Sequence, residues 1–151
     1  MKIFKFGGAS VRDAEAVKNM TAVLTTFKDE KMVVVVSAMG KTTNALELVV
    51  NSYYNKDGQA AKYLEEVKLY HNKIMTDLFP SNTHPVFDMV NNHFVEIDWV
   101  LEEESEKGYA FVYDQIVSAG ELISTRIISA YLELTGIANC WLDARDVIQT
   151  D

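Results

Sequence analysis

The sequence predicts an α/β fold in which a mostly parallel β-sheet lies between layers of helices, a three-layer αβα sandwich. Residues 3–6 form a short apolar run. Residues 32–36 are continuously apolar and mostly β-branched, which is typical of a strand covered on both faces of a parallel sheet. Between them, apolar residues recur every three or four positions over residues 11–27 and predict an amphipathic helix. Residues 3–36 are therefore predicted to form a βαβ unit with a right-handed crossover.

The rest of the chain is predicted to be mainly helical. Apolar spacing predicts four further helices, up to about residue 54, over 64–78, over 86–101 and over 109–134. The second and third of these have no strand near them and are predicted to form an inserted helical hairpin. Gly120 is predicted to bend or start the last helix, and residues 137–142 are predicted to form a third strand.

Composition and charge limit the kinds of partner. The 151 residues carry a formal net charge of −8, which argues against a nucleic acid or an anionic membrane as the main partner. Hydrophobic residues make up 48% and charged residues 24%, as in globular proteins. The single cysteine, Cys140, excludes an internal disulfide, and its apolar surroundings predict a buried thiol in a reducing compartment. We expect a cytoplasmic protein that forms a homo-oligomer.

The first predicted strand runs directly into a glycine turn that suits an anion. Gly7 and Gly8 have no Cβ to keep backbone N–H groups away from an anion, and Lys5 adds a positive charge beside them. Ser10 is predicted to begin the next helix, in a capping box with Asp13, and the N-terminus of that helix adds unpaired N–H donors. From these residues alone, a phosphate site and an ordinary strand-to-helix turn are equally good interpretations.

A second small and polar segment, residues 37–44, follows the second predicted strand. Because ligands of parallel sheets bind beyond the carboxyl ends of the strands, this segment and the glycine turn are expected to face one crevice. Residues 40–43 are similar to the end of a P-loop, but Val35 stands where a P-loop needs glycine, which excludes that motif. A substrate-binding turn and a plain helix start both remain open, and the local chemistry favours the helix start.

Three further groups of residues have simple structural explanations. Ser118 and Glu121 fit either a capping box or a substrate-binding carboxylate, and the pattern alone favours the cap. Asp143 and Asp146 flank Arg145, which predicts a solvated turn or an ion pair. The three histidines lack metal-ligand spacing and are predicted to lie at the surface or its boundary: His71, His84 and His93.

Four segments together resemble the aspartate kinases of the amino-acid kinase family. Residues 5–10, KFGGAS, are similar to the opening KFGGTS of that family. Residues 36–44, VSAMGKTTN, are similar to its second segment, which ends in threonine and asparagine. Residues 120–124, GELIS, resemble its GE-x-x-S segment, and residues 141–146, WLDARD, resemble the stretch that follows. The four segments occur in the family's order and span the chain.

The resemblance implies ATP-dependent phosphorylation of the side-chain carboxylate of L-aspartate to 4-phospho-L-aspartate, the entry step to lysine, threonine and methionine synthesis. It implies Mg-ATP and L-aspartate as ligands, with Mg²⁺ accompanying the nucleotide and Lys5 as the catalytic residue. It places aspartate on Thr43 and Glu121, the latter through the α-ammonium group. It places the ATP phosphates on Lys5, Phe6, Gly7, Gly8 and Ser10, with Ser37 in the same pocket.

Residue 9 and the length of the chain depart from the family. Ala9 stands where the family has threonine, so one hydroxyl is lost from the turn. Residues 1–151 are expected to be the N-terminal part of an amino-acid kinase catalytic domain, with no second domain and no ACT regulatory domains. We therefore expect little or no kinase activity from this chain alone. The alternatives are a glutamate or acetylglutamate kinase of the same superfamily, and a non-catalytic module that binds an amino acid or a partner.

Overall fold

A βαβ unit opens the computed structural model, which describes residues 1–103 and 108–148. Strand β1 (Lys2–Phe6) pairs in parallel with strand β2 (Met32–Val36), in register along their whole length. Helix α1 (Ala14–Thr25) makes the crossover between them. The α/β fold with a parallel sheet is therefore confirmed.

Most of the described chain beyond the sheet is helical, as predicted. Helices α3 and α4 form the inserted hairpin, and Lys68 on α3 is paired with Asp98 on α4 at 2.8 Å. One apolar core joins the helices to the sheet: α6 packs on β2 and α4, and α2 packs on α3 and α5. The helices after β2 are α2 (Thr42–Asn55), α3 (Ala60–Leu78), α4 (Val86–Glu102), α5 (Tyr109–Val117), α6 (Ala119–Leu134) and the single turn α7 (Ala144–Val147).

One face of the two-stranded sheet is open to solvent. Side chains alternate along a strand, so Ile3, Val33 and Val35 share one face, and they are 68%, 44% and 49% exposed. Phe4 and Val34 point to the other face and pack against the core. Coverage of the sheet on both faces, predicted from the continuous valine run, is therefore wrong for the described residues, in which helices cover one face only.

The predicted third strand over residues 137–142 is also wrong. No residue of this segment pairs with β1 or β2; it lies instead along α6. The side-chain amide of Asn139 donates to the carbonyl oxygens of Ser129 and Ile137, both at 3.1 Å. With no neighbouring strand to cover it, Cys140 is exposed rather than buried.

His71 is another correction to the sequence-based prediction. His84 and His93 are half-buried, but His71 is 0% exposed on the core face of α3. The Nδ1 atom of His71 lies 2.8 Å from the carbonyl oxygen of Val67, and its Nε2 atom lies 3.4 Å from Oγ1 of Thr42. Burial disfavours the charged ring and lowers the pKa of His71 to about 4.

Stability is expected to fall on mild acidification because of His71. The unfolded chain binds a proton on this histidine near its ordinary pKa of 6.5, whereas the folded chain does so only near the pKa of about 4. The contribution is therefore fully present above pH 6.5 and is lost as the pH falls toward 4. By about pH 5 the loss of unfolding free energy should reach about 2 kcal/mol.

Urea unfolding of the wild type and of His71→Gln at neutral pH and near pH 5 measures this contribution. The variant lacks the titrating ring, so its unfolding free energy should change less between the two conditions, by about 2 kcal/mol. Equal pH dependence in the two proteins would show that His71 is not the responsible group.

Within residues 1–103 and 108–148, no helix combines the length and the apolar character that crossing a membrane requires.

Candidate functional site

The loops that follow β1 and β2 lie side by side, as the sequence predicted. The backbone N–H of Ser37 donates to the carbonyl oxygen of Phe6 at 3.0 Å, which continues the strand pairing by one step. The N–H of Gly40 then donates to the carbonyl oxygen of Gly8, also at 3.0 Å. We call residues 7–12 the first loop and residues 37–41 the second loop. Their contact puts both loops at the carboxyl end of the sheet, where α/β proteins bind their ligands.

The two loops approach each other closely at Gly8. A Cβ atom at this position would lie 2.7 Å from the carbonyl oxygen of Ala38 and 2.8 Å from that of Gly40. At Gly7 the nearest atom to such a Cβ would be Nζ of Lys5, at 3.7 Å. Gly8 is thus needed for loop packing, whereas Gly7 leaves open space beside a cation.

Lys5 supplies a positive charge beside the first loop. Its place opposite Val35 in the parallel pair puts its side chain on the open face of the sheet. It forms no ion pair with any residue that the structure describes. Its ammonium group is therefore available to an anionic ligand.

The helix start expected at Ser10 is wrong. Residues Gly8–Val11 form a single 3-10 turn, in which the N–H of Ser10 donates to the carbonyl oxygen of Gly7 at 2.9 Å. Helix α1 begins after Asp13, whose carboxylate accepts from the N–H of Ala16 at 2.8 Å, a bond that lowers the pKa of Asp13. This carboxylate already occupies the N-terminus of α1. Arg12 of the first loop is paired with Asp13 at 3.2 Å, which leaves the exposed hydroxyl of Ser10 and the neighbouring Lys5 of β1 to an anion.

Helix α6 is attached to the second loop by its first turns. The buried hydroxyl of Ser124 donates to the carbonyl oxygen of Ser37 at 2.8 Å. At Gly120, a Cβ atom would come within 3.2 Å of the side chains of Ala38 and Thr42. This close packing holds the first turns of α6, which carry Glu121, against the second loop.

Ser118 does not cap α6, and the bend predicted at Gly120 lies two residues earlier. Ser118 has helical backbone angles, with φ −62° and ψ −22°, and makes no side-chain capping bond. The predicted capping box of Ser118 and Glu121 is therefore wrong. Glu121 lines a cavity of about 280 Å³ together with Tyr113, Ser118 and Arg145.

Thr43 lies in the first turn of α2, directly after the second loop. Its neighbour Thr42 is buried and its hydroxyl donates to the carbonyl oxygen of Met39 at 2.6 Å, which fixes the start of the helix. Thr43 itself is half-buried and is not among the residues that line the cavity beside Glu121. The structure thus brings Thr43 and Glu121 to the same loop but not into one cavity.

A pair of hydrogen bonds between α2 and α5 was not anticipated from the sequence. The hydroxyl of Tyr113 donates to the carboxylate of Glu47 at 2.6 Å, and that of Tyr109 donates to Asn51 at 2.9 Å. The bond to Glu47 raises the pKa of Tyr113. Glu47 lies one helical turn from Thr43, on the same side of α2. Tyr109 and Tyr113 are four residues apart on α5, as Glu47 and Asn51 are on α2, and this spacing was the available signal in the sequence. Nothing in either helix by itself indicates that the two pairs face each other.

The last motif, residues 141–146, packs on α6. The indole N–H of Trp141 donates to the hydroxyl of Thr125 at 2.9 Å, and the guanidinium of Arg126 lies 3.4 Å from the centre of the indole ring. Arg145 is paired with Asp143 at 2.6 Å, which confirms the predicted ion pair and lowers the pKa of Asp143. Both arginines therefore have partners already.

The described residues do not build a metal site of their own. No group of three or more His, Cys, Asp or Glu side chains in residues 1–103 and 108–148 is arranged to hold a metal ion. The arrangement instead offers the unpaired ammonium group of Lys5 beside the first loop, the backbone contact of Gly8 with Gly40, and the half-buried carboxylate of Glu121 on the helix packed against the second loop. The ammonium group of Lys5 can bind an anion, and the carboxylate of Glu121 can bind an ammonium group.

Two plant aspartokinases are similar in sequence to nearly the whole of this chain. Aspartokinase 1, chloroplastic, of Arabidopsis thaliana is 33% identical over 99% of this chain and 26% of its own length. Aspartokinase 2 of the same plant is 32% identical over 99% of this chain and 28% of its own length. This chain thus spans about a quarter of the length of these relatives.

Solved structures show the same fold. Escherichia coli aspartokinase III in complex with aspartate and ADP superposes with a TM-score of 0.83 at 24% identity, over 97% of this chain and 32% of that one. The same enzyme in complex with lysine and aspartate gives 0.84. The amino acid kinase family matches residues 1–151, and this chain belongs to that family.

Proposed function

We propose that residues 1–151 are the N-terminal, substrate-side part of the catalytic domain of an aspartate kinase. The whole enzyme would transfer the γ-phosphoryl group of ATP to the side-chain carboxylate of L-aspartate. The observation that carries the proposal is the junction of the two loops at the Gly40–Gly8 bond, with the unpaired Lys5 beside the first loop and the start of α6 packed on the second. The aspartokinase relatives support it.

The first loop is proposed to hold the phosphates of ATP. Lys5 would neutralise phosphate charge, and the space beside Gly7 would let the ligand approach the backbone. The exposed hydroxyl of Ser10 would donate to a phosphate oxygen. Phe6, Gly8 and Ser37 would shape the pocket through the backbone bonds that join the loops. The bound ADP of the E. coli neighbour supports a nucleotide ligand.

The second loop and α6 are proposed to hold L-aspartate. Thr43 would donate its hydroxyl to a substrate carboxylate, and the carboxylate of Glu121 would accept from the α-ammonium group. Charge-assisted bonds of this kind are stronger than neutral ones and make Glu121 the main source of affinity on this side. The aspartate named in the E. coli complexes supports this choice of substrate.

The chemistry proposed for these residues is positioning and charge neutralisation. The acceptor carboxylate is already ionised near neutral pH, so no general base is required. One of its oxygens attacks the γ-phosphorus, the bond from that phosphorus to the β-phosphate oxygen breaks, and ADP leaves with its electron pair. The main obstacle is that two anions must meet, and Lys5 lowers that repulsion. Mg²⁺ enters as part of the Mg-ATP substrate.

Calorimetric titration of the chain with L-aspartate tests the substrate side. We expect binding of L-aspartate but not of L-glutamate, whose side chain is longer by one methylene. Glu121→Gln removes the negative charge that faces the ammonium group, so the affinity for aspartate should fall about 10- to 100-fold, as for a lost charged hydrogen bond. Glu133→Gln, an exposed position on the same helix, is the matched control and should bind like the wild type.

The outcomes of this titration separate the possible functions. Equal binding of glutamate and aspartate would favour a glutamate kinase of the same family. Unchanged aspartate affinity in Glu121→Gln would remove Glu121 from the substrate site. A homo-oligomer, a cytoplasmic location and a place at the start of lysine, threonine and methionine synthesis stay predictions that accompany the proposed activity.

A further inference from the structure

Helix α3 of the inserted hairpin contacts both loops through one side chain, that of Tyr70. Its hydroxyl donates a hydrogen bond to the carbonyl oxygen of Arg12, at the end of the first loop. The same hydroxyl oxygen lies only 2.5 Å from the place where a Cβ atom of Gly40 would be. One oxygen atom of α3 is therefore in contact with the first and the second loop at once.

The next residue of α3 supports the second loop from the core side. His71 is fully buried, with Nε2 3.4 Å from the hydroxyl of Thr42, which in turn donates to the carbonyl oxygen of Met39. The rings of Tyr70 and His71 meet edge to face, with centroids 5.0 Å apart. This contact limits the movement of the Tyr70 ring, because a buried neighbour leaves it few alternative rotamers.

The backbone of the second loop leaves room for the Tyr70 hydroxyl at Gly40. Gly40 has φ +56°, a conformation that glycine adopts without strain. Its lack of a side chain also leaves the space that the Tyr70 hydroxyl fills. The N–H of the same residue makes the bond to Gly8 that joins the two loops. Gly40 therefore contacts both the Tyr70 hydroxyl and, through its N–H group, the first loop.

We propose that Tyr70 is a positioning residue that sets the separation of the two loops and so tunes the site between them. It would touch neither ligand. It would act by fixing the carbonyl group of Arg12 and the backbone of Gly40 at one distance, which preorganises the loops and lowers the cost of ordering them on binding. The part of this inference that concerns ligands rests on the proposed function.

The test compares Tyr70→Phe with Tyr63→Phe in the 151-residue chain. The first change removes only the hydroxyl and keeps the ring. The second makes the same chemical change about 10 Å away along α3, at a half-buried tyrosine packed on the core. Hydrogen exchange of the Gly40 amide, followed by NMR, reports on the bond between the loops without any ligand.

We expect the Gly40 amide to exchange about three- to tenfold faster in Tyr70→Phe, the effect of one hydrogen bond, and at the wild-type rate in Tyr63→Phe. The affinities for L-aspartate and Mg-ATP should fall by a similar factor in Tyr70→Phe only. Unchanged Gly40 exchange would overturn the inference. Faster exchange with unchanged affinity for both ligands would overturn the link to the site.

The two proposals fail in different ways. If the wild type bound neither ligand, the proposed function would fail, while Gly40 exchange would still decide whether Tyr70 joins the loops. Gly40→Ala gives a second, independent readout. Its added methyl group meets the Tyr70 oxygen, so the substitution should lower the midpoint of thermal unfolding less in the Tyr70→Phe background than in the wild type. Equal shifts in both backgrounds would overturn the contact.

Discussion

Lys5→Ala is expected to lower kcat of the whole aspartate kinase about 100- to 1,000-fold, as losing one charged donor to the transition state does in other enzymes. Lys5 forms no ion pair with any described residue and lies beside the open space at Gly7. Its charge therefore acts on the ligand rather than on the fold. Negative charge moves between the reacting groups during phosphoryl transfer, so Lys5 should stabilise the transition state more than the bound substrates. The loss of its charge should therefore lower kcat by a larger factor than it raises KM for aspartate.

Lys2→Ala is the matched control for this substitution. Lys2 lies on the same strand, but its ammonium group is already paired with Glu30 at 2.8 Å and lies over the ring of Phe27. Steady-state kinetics of both variants, with aspartate and Mg-ATP varied in turn, separates kcat from KM. An unchanged kcat in Lys5→Ala, or an equal decrease in Lys2→Ala, would exclude Lys5 from the mechanism.

Gly8→Ala is expected to destabilise the chain by about 3 kcal/mol, at the upper end of what an added methylene costs in a packed interior. The new Cβ would meet two backbone oxygens, those of Ala38 and Gly40, at 2.7 and 2.8 Å. Backbone atoms cannot rotate away as the end of a side chain can. The loops must therefore separate, and binding of aspartate and Mg-ATP should be lost together.

Gly7→Ala shows whether this effect comes from packing or from glycine flexibility in general. A Cβ at Gly7 would lie 3.7 Å from Nζ of Lys5, the mobile end of a long side chain. Urea unfolding should therefore give Gly7→Ala nearly the stability of the wild type. If the two variants were equally destabilised, the close approach of the loops at Gly8 would not be the cause.

The sequence by itself determined the order of the elements and the place of the motifs. Apolar periodicity is a local property, so the βαβ unit and helices α2 to α4 could be predicted close to their observed bounds. The rule that ligands bind beyond the carboxyl ends of parallel strands then predicted that the two loops lie side by side. The ion pair of Asp143 and Arg145 is also local, since the two residues are neighbours in one turn.

The errors occurred where a choice between local alternatives depended on distant residues. Ser10 and Asp13 are both good capping residues, and the 3-10 turn that packs the first loop on the second selected Asp13. Residues 137–142 have the composition of a strand, but side-chain bonds to α6 hold them there, and Cys140 became exposed as a result. His71 was predicted at the surface or its boundary, and the packing of α3 on the core buried it instead.

Only the tertiary structure decided how the loops are held. Tyr70 and Arg12 are 58 residues apart in the chain, and Ser124 and Ser37 are 87 apart. A hydrogen bond over such a separation leaves no periodic trace, because each partner satisfies its own helix or turn equally well without the other. The residues that offer charge to a ligand could thus be found by reading the chain, whereas the residues that fix their spacing became visible only after the helices had packed.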